Sequence, residues 1–319
     1  MEANTTTTPL EQPTHSSDSD VETHRLSYVL ITSARNEDSL LEGTIKSVIC
    51  QTVLPRKWII VDDGSRDRTK EIVLKYSQRW PWIELLEMPA HEDHDYSAKA
   101  RCLNLAFERV GEADFDIIAN IDADISFDRD LFDFLLRKFV QFPDLGIAGA
   151  PMREANYDAV EDALFNETDV FGACQLFRRK CLEDIGGYTP SKEGGIDWIA
   201  VRTARMKGWK TRSFLEKRFF HHRAMGTADC PGWRSIVNNG RKDYFLGNHP
   251  LWEVFRVFYQ MTRRPFLIRG LLLFAGYSWA CLVKVERPIS VELLRFHRQE
   301  QLRRLQTLFR QLFLLQGLK

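Results

Sequence analysis

Two aspartates one residue apart, Asp122-Ala123-Asp124, follow the apolar run Asp116–Ile121 (DIIANI). Residues two apart in extended chain face the same side, so both carboxylates can address one ligand. In a partly buried cleft the two charges repel unless a cation neutralises them. Mg²⁺ or Mn²⁺, with phosphate oxygens completing its shell, meets that need. A solvated acidic loop would carry the same three letters; the preceding apolar strand is what favours a ligand. Two more polar clusters close apolar runs. Ser33-Ala34-Arg35-Asn36-Glu37 ends the run that starts at Tyr28, and Asp62-Asp63-Gly64-Ser65 follows Trp58–Val61 (WIIV). Asp62 and Asp63 can hydrogen-bond a base and a ribose, and the same residue types also build helix-entry turns. The Ser33–Glu37 cluster reads the same two ways.

Elements of alternating type must position these clusters. Tyr28–Ser33, Trp58–Val61, Ile83–Leu86 and Asp116–Ile121 read as strands. Between and after them, Leu40, Leu41, Ile45, Val48 and Ile49 recur at helical spacing. Asp67 can cap a helix carrying Ile72, Val73 and Tyr76, and residues 98–109 and 130–141 also read as helices. Strand–helix alternation over about 120 residues argues for an α/β domain with a parallel sheet. Ligands of such sheets bind beyond the carboxyl ends of the strands. All three polar clusters fall there. Further on, Phe171–Phe177 reads as a strand, Gly186-Gly187 as a turn and Trp198–Met206 as a helix.

With 319 residues, 44% hydrophobic and 28% charged, the composition is that of a globular protein. Wholesale disorder, collagen-like repetition and a polytopic membrane protein are excluded. Lys/Arg and Asp/Glu balance at 44 each, but residues 1–198 carry 21 basic against 37 acidic groups and residues 199–319 carry 23 against 7. An acidic front half is a poor nucleic-acid surface and a good place for a divalent cation. A basic back half suits phosphates or an anionic membrane. Six cysteines without a C-x-x-C pair imply buried thiols in a reducing cytosol rather than a zinc or redox site. Residues 1–25 are polar and aperiodic and are expected to form a disordered tail. No basic region followed by an apolar run opens the chain, so no signal peptide is expected.

An ordered series of short motifs makes a resemblance specific. Thr32–Glu37, V-D-D-G-S (Val61–Ser65) with Asp67 and Thr69, K-A-R-C-L-N (Lys99–Asn104), D-A-D (Asp122–Asp124) and G-G-I-D-W (Gly194–Trp198) ahead of Gly208-Trp209 occur in that order. Over about residues 26–225 the chain resembles family 2 inverting glycosyltransferases. The resemblance implies a GT-A fold, a Rossmann-like mixed sheet of the nucleotide-diphospho-sugar transferases, over 26–230. A helical, aromatic and basic region follows over 231–319. It also implies a nucleotide-sugar site lined by Ala34, Arg35, Glu37, Asp62, Asp63 and Lys99. Asp122 would face the ribose or diphosphate, and Asp124 the metal with Asp122. Asp197 falls where the family keeps its catalytic base. Many members have Glu-Asp there and this chain has Ile196-Asp197, which keeps the base and removes a flanking carboxylate. The other reading of Asp197 is a helix N-cap. Of His221-His222, where relatives place a metal- or phosphate-contacting histidine, neighbours in a strand point opposite ways and only one can serve; His222 is preferred.

The implied donor is a UDP-sugar ahead of a GDP-sugar, and the implied acceptor a glycan or a lipid-linked sugar in surface polysaccharide or glycoconjugate synthesis. Inverting transfer needs one general base and a stabilised leaving diphosphate, and no covalent nucleophile. The alternative within the resemblance is a catalytically degenerate, binding-only relative in a membrane assembly. A dinucleotide enzyme would show G-x-G-x-x-G after the first strand, which is absent. A nucleotidyltransferase would want a Gly-rich basic loop there, and a haloacid-dehalogenase-type phosphatase a Gly-Thr after D-x-D; Ile125-Ser126 stands in its place. His91-Glu92-Asp93-His94 is too contiguous to make a good metal site. Asn239-Gly240-Arg241-Lys242 reads either as a diphosphate contact or as plain helix.

Gly270–Val283 is free of charge for 14 residues, too short for a span of about 20. Arg263, Arg264, Arg269, Lys284 and Arg287 surround it, with Trp252, Tyr277 and Trp279 nearby. The expectation is an in-plane or re-entrant membrane element, the alternative a buried soluble hairpin. Residues 291–316 read as a basic helix that lies on lipid or pairs in a homodimer, through Leu302, Leu305, Phe309 and Leu312. The protein is thus expected to be cytoplasmic, peripheral on the inner membrane face.

Overall fold

The computed structural model describes residues 26–89, 96–111, 114–162, 164–223 and 232–316. The expected tail, the His91–His94 loop and Cys230 lie outside the described residues. In chain order the strands are β1 (Tyr28–Ala34), β2 (Lys57–Asp62), β3 (Ile83–Glu87), β4 (Ile117–Ile121), β5 (Ile125–Phe127), β6 (Leu145–Gly149), β7 (Met152–Glu154), β8 (Tyr157–Asp158), β9 (Cys174–Arg178), β10 (Lys210–Ser213) and β11 (Phe219–His221). The helices are α1 (Leu41–Ile49), α2 (Thr69–Ser77), α3 (Tyr96–Val110), α4 (Leu131–Gln141), α5 (Arg179–Ile185), α6 (Ile196–Met206), α7 (Trp233–Phe245), α8 (Pro250–Met261), α9 (Ile268–Leu282) and α10 (Val291–Gln316).

Among the described residues the main sheet has the order β10-β6-β9-β4-β1-β2-β3. Its pairings are parallel except that β9 runs antiparallel between β4 and β6. The central strands are apolar throughout because helices cover both faces. Leu30, Ile60 and Ala119 face Leu41 and Ile45 of α1 and Phe132 and Leu135 of α4. Val29, Ile31, Ile59 and Ile118 face Ala100 and Leu103 of α3 and Ile196 and Ala200 of α6. This is the expected mixed α/β architecture with a helical C-terminal region. A second small sheet, β5-β11-β7-β8, sits beyond the carboxyl end of β4.

The strands expected at Tyr28, Trp58, Ile83 and Asp116 appear within a residue or so of their expected bounds. The strand expected from Phe171 starts only at Cys174. The helix expected from Trp198 starts two residues earlier, at Ile196, after Gly195 in a left-handed conformation (φ 77°).

After β11 the fold turns helical. α7 and α9 cross so closely that a methyl on Gly240 would collide with the Leu273 carbonyl, and one on Gly276 with the Val237 carbonyl. Gly270 is close-packed too, with the Val257 carbonyl of α8 2.5 Å from where its methyl would stand. Glycine is what lets these backbones touch. α10 packs back on α6: His297 stacks edge-on against Trp198, and Glu300 pairs with Arg202 and Arg205. Leu293 and Leu305 of α10 are buried. Of the stripe read as a lipid or dimer face, Leu305 is buried, Leu302 half-buried and Phe309 exposed.

Candidate active site

Asp122 and Asp124 sit on the turn between β4 and β5 rather than in extended chain. α1 fixes that turn. Thr44 Oγ1 lies 2.7 Å from the Ala123 carbonyl, and the Ile125 N–H donates to Thr44 Oγ1 at 3.2 Å. Asp122 N–H donates to the Ala173 carbonyl of the loop before β9. The outcome is the one expected from an extended pair: both carboxylates come together around one point, and Asp124 is buried. Burial pushes the Asp124 carboxyl above its ordinary range, and the Asp122 charge adds to this against the pull of His221, Arg223 and Lys99. Lys99 Nζ donates to Asp122 Oδ1 at 2.6 Å. Burial alone would lower the Lys99 ammonium, but Asp122 and, further off, Asp197 and Asp124 leave it raised.

Asp122, Asp124 and His221 each present a ligand atom within 4.8 Å of the others. His221 Nε2 lies 3.5 Å from Asp124 Oδ1, and its Nδ1 faces Glu154 Oε1 at 3.3 Å. A carboxylate behind the ring is the usual way of orienting a metal-bound imidazole. Two carboxylates and one imidazole, two of them buried, form a fitting donor set for a Mn²⁺-like cation. The expectation for His222 is corrected here. Its ring turns outward to Ser126 Oγ at 2.9 Å, and its backbone N–H donates to the Asp124 carbonyl. The pattern F-F-H-H carried the signal. β11 alternates, Phe219 is buried against the core, and His221 shares its face.

Asp197 stands in the first turn of α6, one residue inside its start, and makes no cap. The cap is Gly195, so the helix-cap reading does not hold. Asp197 is half-buried, and its Cβ and Oδ2 both lie 2.7 Å from where a methyl on Gly172 would be. A polar chain braces this region. Asn120 Nδ2 donates to the Gly172 carbonyl, Gln175 Nε2 reaches the Val170 and Asp197 carbonyls, and Tyr188 Oη donates to Gln175 Oε1. Asn104 clamps Tyr188 through both its N–H and its carbonyl. Asn104 of the K-A-R-C-L-N motif thus acts at a distance, while its Lys99 faces the cleft.

The first two polar clusters zip together. Asn36 N–H donates to Ser65 Oγ, Arg66 N–H to Asn36 Oδ1, Glu37 N–H to Thr69 Oγ1 and Asp38 N–H to Asp67 Oδ2. Asp63 N–H donates to the Ala34 carbonyl. Asp62 Oδ1 accepts from Ser65 N–H, which is turn work. Asp63 is buried; Cys102 Sγ donates to its Oδ1 at 3.4 Å, and Arg35 lies 3.8 Å from its Oδ2. Asp67 accepts from the N–H of Thr69, the first residue of α2, and stands one position ahead of the N-cap Arg68.

Glu37 is bound on both oxygens by Arg223, at 2.9 and 2.7 Å. Burial raises the Glu37 carboxyl, Arg223 opposes this, and Asp124 and Asp122 add to it. Arg223 was not evident from the sequence, where it is simply the basic residue after the histidine pair. The Asn239–Lys242 segment lies inside α7, with Gly240 in the helix seam and Arg241 over the Trp279 ring. This is the plain-helix alternative.

A sheet of this order, carrying an Asp-x-Asp turn beyond its central strands, defines a GT-A glycosyltransferase fold. Residues 29–161 match glycosyl transferase family 2. The poly-β-1,6-N-acetyl-D-glucosamine synthase of Staphylococcus epidermidis is 23% identical over 170 residues, 47% of this chain and 39% of that protein. Matches to the first curated relatives span between 20% and 39% of their lengths. A mannosyltransferase of Pyrobaculum calidifontis, solved with GDP-Man and Mn²⁺, superposes with a TM-score of 0.57 at 16% identity, over 83% of this chain and 89% of that one. S. aureus TarS 1-349 in complex with UDP-GlcNAc gives 0.53 at 14% identity, over 85% and 78%. The match to glycosyl transferase family 2 is thus confined to residues 29–161, and the likeness to the solved structures is one of fold.

Proposed function

We propose that the protein moves a sugar from a nucleoside-diphosphate donor, a UDP-sugar ahead of a GDP-sugar, to a glycan or lipid-linked acceptor with inversion at the anomeric carbon. The carrying observation is one cleft holding Asp122, Asp124 and His221, with Lys99 on Asp122 and Asp197 near enough to act on Lys99. Ala34, Arg35, Glu37, Asp62 and Asp63 stand at the neighbouring strand ends and line the nucleotide side. Asp197 takes the proton of the acceptor hydroxyl as its oxygen attacks from the face opposite the diphosphate. Lys99 and Arg223 bring positive charge toward the leaving group. A divalent cation held by Asp122, Asp124 and His221 would offset the charge developing on that diphosphate. The imidazole nitrogen in this set favours Mn²⁺ over Mg²⁺, which prefers all-oxygen shells.

The acceptor is taken at the cytoplasmic face of a membrane, in surface polysaccharide or glycoconjugate synthesis. The basic back half of the chain supports this. The test is a thermal-shift screen of UDP- and GDP-sugars with Mn²⁺, Mg²⁺ or chelator. A melting temperature raised by one nucleotide family only when the cation is present supports the reading. No shift with any nucleotide in the presence of either cation contradicts it.

A further inference from the structure

No helix among the described residues is long and apolar enough to cross a membrane. Even so, α8 and α9 present an apolar surface outward. From α8 come Leu251, Val254 and Phe258, at i, i+3 and i+7. From the connecting turn come Phe266 and Leu267, and from α9 come Ile268, Leu271, Phe274, Trp279 and Leu282. Exposure is 64% at Phe258, 62% at Leu267 and 82% at Leu282. A surface helix of a globular protein turns charged and polar residues outward. Between Gly270 and Val283 there is no charged residue on either face. The inward face is already satisfied, because Gly240, Gly270 and Gly276 seat α9 against α7 and α8. Among the described residues the outward apolar face is left uncovered.

Charge says what covers it. Arg263 and Arg264 are exposed at the turn, and Lys284 is exposed at the far end of α9 with exposed Glu286 two residues on, while Arg287 is half-buried and donates to the Tyr244 carbonyl. Arg269, in the first turn of α9, is half-buried and donates to Gln260 Oε1. Cationic side chains bracketing an apolar face, with Trp279 on it, match a lipid surface with anionic headgroups. A second copy of the chain would meet this face with the same positive charges.

We infer that the α8–α9 hairpin is a membrane-docking surface, inserted in the plane of one leaflet of an anionic bilayer. It extends beyond the stretch legible in the sequence by the whole of α8 and the turn. It does not include the middle of α10, where His297 and Glu300 are held against α6 and Leu293 and Leu305 are buried. The surface rests on the proposed function only for what the membrane supplies, namely the acceptor. α7 joins the two: it seats α9 on one side, while Arg241 lies 3.6 Å from Glu193 and Leu246 packs against Gly195, in the loop that leads to Asp197.

The experiment is flotation of the full chain with vesicles of phosphatidylcholine alone or with phosphatidylglycerol, at low and high salt and without nucleotide. The wild type is expected to float with anionic vesicles, to remain partly bound at high salt, and to float less with neutral ones. Leu271→Asp with Phe274→Asp is expected to lose about tenfold or more in vesicle affinity. Arg263→Glu with Arg264→Glu is expected to lose the salt-sensitive part only. Nucleoside-diphosphate binding, measured separately on each variant, reports folding and tests the cleft independently of the surface. Wild type that floats with no vesicle overturns the proposal. So does a folded double-aspartate variant that floats as well as wild type. So does a wild-type dimer that avoids vesicles and becomes monomeric in that variant, because the face then belongs to a second copy.

Discussion

The ammonium of Lys99 lies 2.6 Å from the carboxylate of Asp122, inside the cleft where Asp122 and Asp124 converge. Half of the carboxylate charge is thus answered by the protein itself, and the other half is left to Asp124, His221 and whatever binds them. Lys99 is also the cation placed to meet a diphosphate. Its two roles separate by sign. Lys99→Met is expected to raise the affinity of the nucleotide-free protein for Mn²⁺, by removing a neighbouring positive charge. It is expected to lower nucleoside-diphosphate affinity by about tenfold, roughly one charge-assisted hydrogen bond. Calorimetry of each ligand alone reads both. A fall in both affinities would make Lys99 a folding residue instead.

Asp197 has the Gly172 backbone at its side. Asp197→Asn is expected to keep nucleotide affinity and lose about 10²-fold or more in turnover, the scale of a missing general base. Gly172→Ala places a methyl 2.7 Å from Asp197 Oδ2 and should also lose turnover with nucleotide affinity kept. Initial rates at saturating donor decide this. Near-normal turnover of Asp197→Asn would remove it from the chemistry.

The two adjacent histidines make a paired test. His221→Ala is expected to weaken Mn²⁺-supported nucleotide binding by about tenfold or more, the range for loss of a ligand or its support. His222→Ala, whose ring faces Ser126, is expected to stay within about twofold. Titration of UDP or GDP in Mn²⁺ reads both; the reverse ranking would restore His222.

The strands bearing the site were legible because they are buried on both faces and read as continuous apolar runs. Tyr28–Ala34, Lys57–Asp62 and Ile117–Ile121 end where Ala34, Asp62 and Asp122 stand. Asp124 and Lys99 followed from motif order. Less legible was everything set by contacts between distant segments. Arg223 meets Glu37 across 186 residues of chain. Gly172 makes room for Asp197, and the Asn120–Gln175–Tyr188 chain braces them, without any local pattern to mark it. His221 was readable from strand alternation, since Phe219 fixes which face is inward. α8 escaped notice because Glu253 and Arg256 break its apolar run, yet both point inward to Asn248 and Asp243.

That inward pair gives stability a pH dependence. Burial pushes the Glu253 carboxyl up to about 8, Asp243 adds to this and Arg256 opposes it. Glu253 Oε1 has no hydrogen-bond partner among the described groups. Between the ordinary carboxyl range and about pH 8 the folded chain holds a proton that the unfolded chain releases. Stability is therefore full below that window and declines as pH rises through it. Glu253→Gln lacks this proton. The variant is expected to gain on wild type as pH rises from about 5 to about 9, by something on the order of 1–3 kcal/mol. Denaturant melts across that range would show it; parallel curves would place the titration elsewhere.

The central claim is that the Asp122–Asp124 turn binds a nucleoside diphosphate through a divalent cation. Calorimetric titration of UDP and of GDP into wild type and Asp124→Asn, each with Mn²⁺ and with chelator, tests it most directly. Wild type is expected to bind one nucleotide in Mn²⁺ and to lose about tenfold or more in affinity with chelator. Asp124→Asn in Mn²⁺ is expected to match the chelated wild type while keeping its fold. An Asp124→Asn protein that binds both nucleotides as wild type does, with the same response to Mn²⁺, would contradict the account.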